Sequence, residues 1–329
     1  MLTRPLGAAG PKVSALSLGC MGMSGMYGPS DEAESIATIH RALDAGINLL
    51  DTGDFYGMGH NEMLIGRAIE GRRSQVLLSV KFGAMRLPTG AFIGLDGRPK
   101  AVKNFLSYSL QRLRTDHIDI YRLTRPDPEV PIEDTIGAIA ELIQAGYVRY
   151  VGMSESGAAT IRRAHAVHPV CDLQIEYSLI SRGIEREILA TLRELGIAVT
   201  AYGVLSRGLL AGSRPAGKGD FRVNLPRFNG PNFEQNQRVA AAVADIAAER
   251  GVTAAQLAIA WVLSRGTDII PVVGARTRRQ LAESLAALDV VLSPDDAARL
   301  EQACRADLVA GTRYDAVQMQ HLDSERQPL

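Results

Sequence analysis

Eight short apolar runs alternate with amphipathic or capped segments along this chain of 329 residues. Such alternation is the pattern of βα units and of a parallel sheet. The eight runs predicted as strands are Ala15–Leu18, Ile47–Leu50, Val76–Val80, Ile118–Leu123, Tyr147–Gly152, Leu173–Tyr177, Ala198–Tyr202 and Ile269–Val273. Eight strands favour a closed barrel over an open, doubly wound sheet. We therefore predict an α/β fold, a (β/α)8 TIM barrel with a closed parallel sheet.

The whole chain is predicted as one domain, with a barrel core at about 15–290 and a C-terminal helix and tail at 294–329. A helix is predicted at Pro131–Ala145, and Ala8–Val13 is a possible N-terminal hairpin. The linker Ser206–Asn232 is rich in Gly, Pro and Arg and lacks helical periodicity. Loops of this length are usually functional or disordered.

Composition excludes several classes of partner. Lys+Arg and Asp+Glu both number 36, so no charge-driven partner such as nucleic acid or an anionic membrane is expected. The three cysteines are scattered, which fits a reducing compartment. The amino terminus has no signal-peptide pattern, and no apolar run approaches the ~18 residues of a membrane span. We expect a soluble, cytoplasmic protein without a metal site.

Polar side chains gather where the predicted strands end. These residues are Asp51, Lys81, Thr124, Ser154, Glu155 and Gln174. In TIM barrels the chemistry takes place at the carboxyl ends of the strands. The sequence therefore predicts an active site on that face.

Asp51, Tyr56 and Lys81 form the strongest candidate unit. A phenol has a pKa of about 10, and a nearby buried ammonium lowers that pKa by stabilising the phenolate. Lys81 ends an apolar run, so it should be buried and needs an anionic partner. Asp51 is the candidate partner. The alternative is a structural loop tyrosine beside a buried salt bridge.

The segment Asp51–Gly57 reads Asp-Thr-(three residues)-Tyr-Gly and is followed by the strand-end Lys81. This pattern closely resembles the aldo-keto reductases, which are NAD(P)H-dependent TIM-barrel oxidoreductases. The resemblance extends over about residues 16–287. It implies that Tyr56 is the general acid, that Lys81 lowers its pKa, and that Asp51 keeps Lys81 charged.

Thr124 departs from the family pattern, because most members carry a histidine there that orients the substrate carbonyl. None of the six histidines can replace it by its place in the sequence. A threonine hydroxyl donates one hydrogen bond but does not titrate near pH 7. Either Thr124 positions the substrate oxygen while Tyr56 and Lys81 do the acid chemistry, or catalysis is weakened or specialised.

Ser154, Glu155 and Gln174 resemble the family's clamp for the nicotinamide carboxamide. The family more often has Asn where Glu155 stands, and a carboxylate can accept but cannot donate. Tyr202 matches the aromatic residue that stacks on the nicotinamide. The alternatives are polar strand-end caps and ordinary packing.

Gly203–Gly208 resembles the family's pyrophosphate strap, with Gly203, Leu205 and Arg207 as candidate binding residues. Glycine lets backbone N–H groups approach an anion, and an arginine adds a forked pair of donors.

Three arginines open the helix after the last strand, where they oppose the helix dipole and so favour an anion. This segment matches the family's site for the 2′-phosphate of NADPH, which implies NADPH/NADP⁺, with NADH as the alternative. The candidate residues are Gly274, Arg276, Arg279, Gln280 and Ser284. Gln280 stands where many relatives have arginine, with Arg276 or Arg279 to compensate, and Ser284 replaces an asparagine that usually contacts adenine.

The resemblance implies an enzyme that reduces an aldehyde or ketone to an alcohol, reversibly, so the partner is a small carbonyl or alcohol substrate. A Met-rich loop at Met21–Met26, with Phe55 and Phe82, would make an adaptable apolar wall. One alternative is a nucleotide-binding redox sensor with weak turnover, since potassium-channel β subunits in the family also lack the histidine. Another is a non-redox barrel isomerase that uses Lys81 as a base, which leaves the clamp residues unexplained.

Overall fold

The computed structural model describes residues 1–215, 217 and 219–326. Residues 216 and 218 of the predicted linker and 327–329 of the predicted tail lie outside the described residues.

Within the described residues the chain forms twelve strands and eleven α-helices. The strands are β1 (Thr3–Pro5), β2 (Lys12–Ser14), β3 (Ser17–Gly19), β4 (Leu49–Gly53), β5 (Leu77–Phe82), β6 (Ala84–Arg86), β7 (Phe92–Leu95), β8 (Ile118–Leu123), β9 (Val148–Ser154), β10 (Val170–Glu176), β11 (Ala198–Tyr202) and β12 (Ile269–Gly274). The helices are α1 (Glu32–Asp44), α2 (His60–Ala68), α3 (Pro99–Leu113), α4 (Ile132–Gln144), α5 (Ala158–Val167), α6 (Ile188–Leu195), α7 (Gly230–Glu249), α8 (Ala254–Ser264), α9 (Arg278–Ala286), α10 (Pro294–Ala303) and α11 (Ala316–Gln320).

Eight of these strands form a closed parallel barrel in the order β3-β4-β5-β8-β9-β10-β11-β12. The barrel closes where β12 pairs with β3, with Val272 opposite Ser17 and Gly274 opposite Gly19. All eight predicted strands are barrel strands, so the predicted TIM barrel is confirmed. The largest differences are in β4, found at Leu49–Gly53 rather than at Ile47–Leu50, and in β10, which begins at Val170 rather than at Leu173. The start of β10 was predicted too late because the charged Asp172 interrupts its apolar run.

Helix α4 shows how the outer layer packs. It was predicted at Pro131–Ala145 and is found at Ile132–Gln144. Apolar residues recur on one side at helical spacing, as a half-buried helix requires. The buried apolar side chains on this side are Ile132, Ile136, Ile139 and Leu142, and all four belong to the large core between helices and strands.

An antiparallel hairpin closes the amino-terminal end of the barrel. Its strands are β1 and β2, so the predicted Ala8–Val13 covers the turn and only the start of the second strand. Leu6 and Val13 are fully buried in a small cluster with residues from the strand starts. Those residues are Leu49, Ile120, Cys171, Ala198 and Ile270. The hairpin therefore caps the end opposite to the predicted site.

The predicted linker contains three short 3-10 turns, at Ser206–Ala211, Phe221–Asn224 and Pro226–Phe228, before α7 begins at Gly230. The tail at 309–326 crosses the carboxyl-end face, where it contacts Glu155 through Arg313 and Ser324.

Among the described residues no single helix is both long and apolar enough to cross a membrane; only α7 and α8 together, bent by 89°, meet the length and composition. The same part of the chain holds no group of three or more His, Cys, Asp or Glu side chains suited to a metal ion.

Candidate active site

Asp51 is the centre of the polar side chains at the carboxyl ends of the strands. Its Oδ1 lies 2.5 Å from Lys81 Nζ, and its Oδ2 accepts from Ser79 Oγ at 3.0 Å and from Gln174 Nε2 at 2.7 Å. Asp51 and Lys81 are both buried. A buried charge is costly unless it is paired and hydrogen-bonded, so each member of the pair requires the other. The expected ion pair is present.

Tyr56 lies beside this pair. Lys81 Nζ is 5.3 Å from the centroid of its ring, which packs edge-on against Phe55 with centroids 4.7 Å apart. Burial and then the charge of Asp51 hold the pKa of Tyr56 well above its ordinary value. Burial also lowers the pKa of Lys81, against the opposing effect of Asp51. The pKa of Tyr56 is thus shifted in the direction opposite to the lowering that was expected from Lys81, with desolvation as the largest cause and the charge of Asp51 as the next.

A second buried ion pair, not predicted from the sequence, lies inside the barrel. Arg122 is fully buried and donates from Nη1 to Asp172 Oδ2 at 2.8 Å and from Nη2 to Ser79 Oγ at 3.0 Å. Thr200 Oγ1 donates to the same Asp172 oxygen at 2.5 Å. Because Ser79 also donates to Asp51, the two ion pairs form one network. The sequence did indicate this pair, because Arg122 lies in the apolar strand β8, and a charged side chain buried there needs a buried partner.

Thr124 follows β8 directly, but its hydroxyl faces the protein. Oγ1 donates to the backbone oxygen of Phe82 at 2.7 Å, and the Thr124 backbone N donates to that oxygen at 2.8 Å. A hydroxyl has one proton to donate. In this arrangement Thr124 can accept from a ligand but does not donate to a substrate oxygen.

Glu155 is held by the tail. Both carboxylate oxygens accept from Arg313, at 3.0 and 2.9 Å, and Oε2 also accepts from Ser324 Oγ at 2.6 Å. Burial raises the pKa of Glu155, but the charge of Arg313 and these hydrogen bonds more than offset it and lower the pKa to about 2. In this structure the Glu155 carboxylate therefore holds Arg313 rather than an amide.

Tyr202 and Tyr314 meet at the same place. Tyr202 Oη donates to Glu155 Oε1 at 2.6 Å and lies 3.1 Å from Tyr314 Oη. The Tyr314 ring lies between two guanidinium groups, with Arg207 Cζ at 4.5 Å and Arg125 Cζ at 4.8 Å from its centroid. The tail therefore places a phenol among the predicted nicotinamide residues.

The predicted strap is a tight loop. Gly203 has φ 66°, and the non-glycine residues Ser206 and Arg207 have φ 47° and 57°, a conformation that costs energy and is typical of ligand-binding loops. Arg207 donates from Nη2 to Glu176 Oε2 at 2.9 Å. Its Nη1 is buried and has no hydrogen-bond partner among the described residues. An unused buried donor in such a loop fits an anionic ligand.

The basic segment after β12 is only partly available to a phosphate. Arg278 is tied to Glu34, which accepts from its backbone N at 2.8 Å and from Nη2 at 2.8 Å. Arg276 donates to the backbone oxygens of the loop after β3. Arg279 is exposed. Gln280 Oε1 accepts from the Arg276 backbone N at 2.9 Å.

The other predicted positions divide between site and core. Ser154 and Ser284 are buried, Leu205 begins the strap turn, and Gly274 ends β12 in an exposed position. Phe82 does not line a pocket, because its ring stacks on Tyr121 with centroids 4.2 Å apart between strand and helix layers. Met23 is likewise fully buried in the core.

Sequence reasoning missed the tail arginine Arg313 and its carboxylate Glu176. Arg313 Nη1 lies 3.3 Å from Glu176 Oε2, and Glu176 also pairs with Arg207 and Arg227. The sequence signal was the alternation of Asp172, Gln174 and Glu176, which places three polar side chains on one face of a buried strand.

Comparison with known proteins gives consistent results. Residues 15–305 match the model of the aldo/keto reductase family. The glycerol dehydrogenase AKR11B4 from Gluconobacter oxydans is 27% identical, with TM-score 0.82 over 99% of this chain and 98% of that chain. The aldo-keto reductase AKR11C1 from Bacillus halodurans, in its holo form, is 28% identical, with TM-score 0.78 over 93% and 97%. A thermostable aldo-keto reductase, Tm1743, solved with the inhibitor epalrestat, is 26% identical, with TM-score 0.73 over 92% and 100%.

Proposed function

The chain belongs to the aldo/keto reductase family and is an oxidoreductase, and we propose that it uses NADPH to reduce an aldehyde or ketone to an alcohol, reversibly. The observation that carries this proposal is the Asp51–Lys81 ion pair with Tyr56 beside it, at the carboxyl ends of β4 and β5.

Tyr56 is the proton donor in this proposal. The phenol stays protonated at working pH because burial and Asp51 raise its pKa. It delivers its proton only when negative charge develops on the carbonyl oxygen, which is the timing that general acid catalysis needs. Lys81, kept charged by Asp51, offsets the negative charge left on the phenol oxygen.

The residues present fit a nicotinamide nucleotide. Gln174 gives its NH₂ to Asp51, which leaves its carbonyl to accept from the carboxamide, and Tyr202 offers a ring beside it. Arg207 would bind the pyrophosphate through its buried Nη1, which has no partner among the described residues. The exposed Arg279, with Arg276 near it, would bind the extra phosphate that distinguishes NADPH from NADH. When bound, the nucleotide supplies the hydride.

The test is NADPH consumption with a panel of aldehydes, ketones and quinones, preceded by fluorescence titrations with NADPH and NADH. Since one structural relative is a glycerol dehydrogenase, polyols with NADP⁺ belong in the panel. Tyr56→Phe should bind NADPH as the wild type does and lose at least about a hundredfold in kcat. Undiminished turnover in that variant would remove Tyr56 as the acid.

A second function, a redox-responsive nucleotide-binding protein with weak turnover, is favoured by one observation. The Thr124 hydroxyl proton is given to Phe82 O, so the histidine's role has no replacement at that position. Tight NADPH binding by the wild type and by Tyr56→Phe, with no turnover by either, would support this alternative. A rise in aldehyde turnover in Thr124→His would show that a lost donor limits the rate.

A further inference from the structure

Two arginines near Tyr56 lack a carboxylate partner. Arg86 ends β6, just after Lys81 in the chain, and donates from Nη1 to the Gly90 backbone oxygen at 2.7 Å. Arg125 follows Thr124 and donates from Nη1 to the Gln318 backbone oxygen at 3.3 Å. Neither guanidinium forms an ion pair with a carboxylate of the residues that the structure describes.

Each guanidinium packs on an aromatic ring at the carboxyl ends of the strands. Arg86 Cζ is 5.4 Å from the centroid of Phe55, which packs edge-on against Tyr56. Arg125 Cζ is 4.8 Å from the centroid of Tyr314, whose hydroxyl lies 3.1 Å from that of Tyr202. Arg86 is therefore one aromatic ring away from the proposed acid, and Arg125 packs on the tail ring beside Tyr202.

The protein itself gives Arg86 little counter-charge. The residue is half-buried, and its Nε is buried without a hydrogen-bond partner among the described residues. After burial, the pKa of Arg86 is affected by Tyr56 and then by the carboxyl of Asp54, but burial and Glu62 raise the pKa of Asp54 to about 8. At neutral pH that carboxyl is mostly protonated. A partly desolvated guanidinium with a free donor is a site for an oxyanion.

The cofactor phosphates are not the expected counter-ion. The predicted strap follows β11 and the basic segment follows β12. Arg86 and Arg125 follow β5 and β8, which are diametrically opposite β11 and β12 in the ring of eight strands. The unpaired cations therefore face the substrate side.

We propose that the substrate is an aldehyde or ketone that carries an oxyanion, a carboxylate or a phosphate ester, which Arg86 and Arg125 bind while the carbonyl oxygen faces Tyr56. This inference rests on the proposed reductase activity. Exposed apolar side chains of Met58, Leu87 and Ile93, on the loop after β4 and on the β6–β7 hairpin, favour an apolar body for that substrate.

The test compares substrates that differ only in charge. The first pair is para-carboxybenzaldehyde and its methyl ester, and the second is glyceraldehyde phosphate and glyceraldehyde, so the two pairs distinguish the carboxylate from the phosphate. We expect wild-type kcat/KM to favour a charged member by at least about tenfold. In Arg86→Gln and Arg125→Gln that ratio should fall by at least about tenfold, mainly through KM, with partial recovery in Arg86→Lys.

Arg149→Gln is the matched control, because Arg149 is exposed near the amino-terminal end of β9, away from the site. Its ratio should equal that of the wild type. Turnover of both members of each pair with equal kcat/KM in wild type, Arg86→Gln and Arg125→Gln would overturn the inference and leave the reductase proposal intact.

A binding measurement keeps the inference testable if none of the probes is turned over. Calorimetric titration with para-hydroxymethylbenzoate and with inorganic phosphate, in the presence of NADP⁺, should give a Kd that rises at least about tenfold in Arg86→Gln. No binding of either anion by the wild type, or the same Kd in wild type and variant, would overturn the inference.

Discussion

The Asp51 carboxylate is shared among three side chains, with one oxygen held by Lys81 and the other by Ser79 and Gln174. Both ions of the pair are buried, so water cannot solvate the charge that remains when one of them is removed. Removing one partner of such a pair is more costly than the pair itself is stabilising.

Asp51→Asn should therefore reduce the free energy of unfolding by about 3–5 kcal/mol, because Lys81 is left as a buried, unpaired charge. Urea denaturation measures this loss. The control is Asp44→Asn, which breaks the exposed pair with Arg72 and should cost less than about 1 kcal/mol. Equal losses in the two variants would contradict the described pair.

Asp54 makes stability depend on pH in the opposite sense to most acids. Its pKa is raised to about 8 by burial and by Glu62, whereas an unfolded Asp has a pKa of about 3.9. The stability that comes from keeping this proton is complete below about pH 4 and is lost as pH rises towards 8. Asp54→Asn should remove that loss, so its unfolding free energy relative to wild type should increase from pH 5 to pH 8. Parallel pH profiles for wild type and variant would rule this out.

At the scale of elements, the tail from Val309 to Arg326 completes one wall of the site. Arg313 joins it to Glu155 of the β9–α5 loop, to Glu176 at the end of β10 and to Glu325 within the tail. Glu155 has a folded pKa of about 2, against about 4.3 unfolded, so the stability it contributes is present above about pH 4 and is lost as pH falls towards 2.

Arg313→Gln should release the tail without unfolding the barrel, because it removes the shared cation of three carboxylates. Hydrogen exchange of backbone amides in Val309–Arg326 should become at least about tenfold faster, while exchange in the barrel strands stays slow. Arg305→Gln is the control, since it removes only an exposed pair with Asp307. Unchanged tail exchange in Arg313→Gln would show that apolar packing, not charge, holds the tail.

The strands were predictable and the tail was not, for a physical reason. A run of neighbouring apolar residues indicates a buried parallel strand. For this reason Ile118–Leu123 and Ala198–Tyr202 were predicted with their observed bounds. Asp51 and Lys81 were also predicted as a pair, since each follows an apolar run of sequence directly. The Arg313–Glu155 contact spans 158 residues of sequence, and nothing local in either segment indicates it.

On the scale of the whole molecule, one end of the barrel is a closed apolar cap and the other carries the candidate site. The amino-terminal end is apolar and closed by the β1–β2 hairpin, with Leu6 fully buried. The carboxyl-terminal end holds the buried Asp51–Lys81 ion pair and the candidate site. In TIM barrels generally, one end of the barrel contributes to stability and the other carries the active site.

Leu6→Ala should test this division. It opens a cavity in the closed end and should reduce the free energy of unfolding by about 2–5 kcal/mol, while kcat and KM of the folded enzyme stay within about twofold of wild type. Leu2→Ala, at a position that is 72% exposed, should change neither quantity. A specific loss of kcat in Leu6→Ala would mean that the two ends are coupled.

The distance between Glu155 and Arg313 along the chain also sets an order of events during biosynthesis. At typical rates of translation, Arg313 emerges from the ribosome roughly 8 to 30 s after Glu155, given the 158 residues between them. During that interval Glu155 lacks the arginine that neutralises it, whereas Glu176 can already pair with Arg207 and Arg227, so water must stay around Glu155 at the mouth of the nascent barrel. Exclusion of water from the site is then a late step of folding, because it follows the synthesis of Arg313, which lies in the tail and not in the barrel.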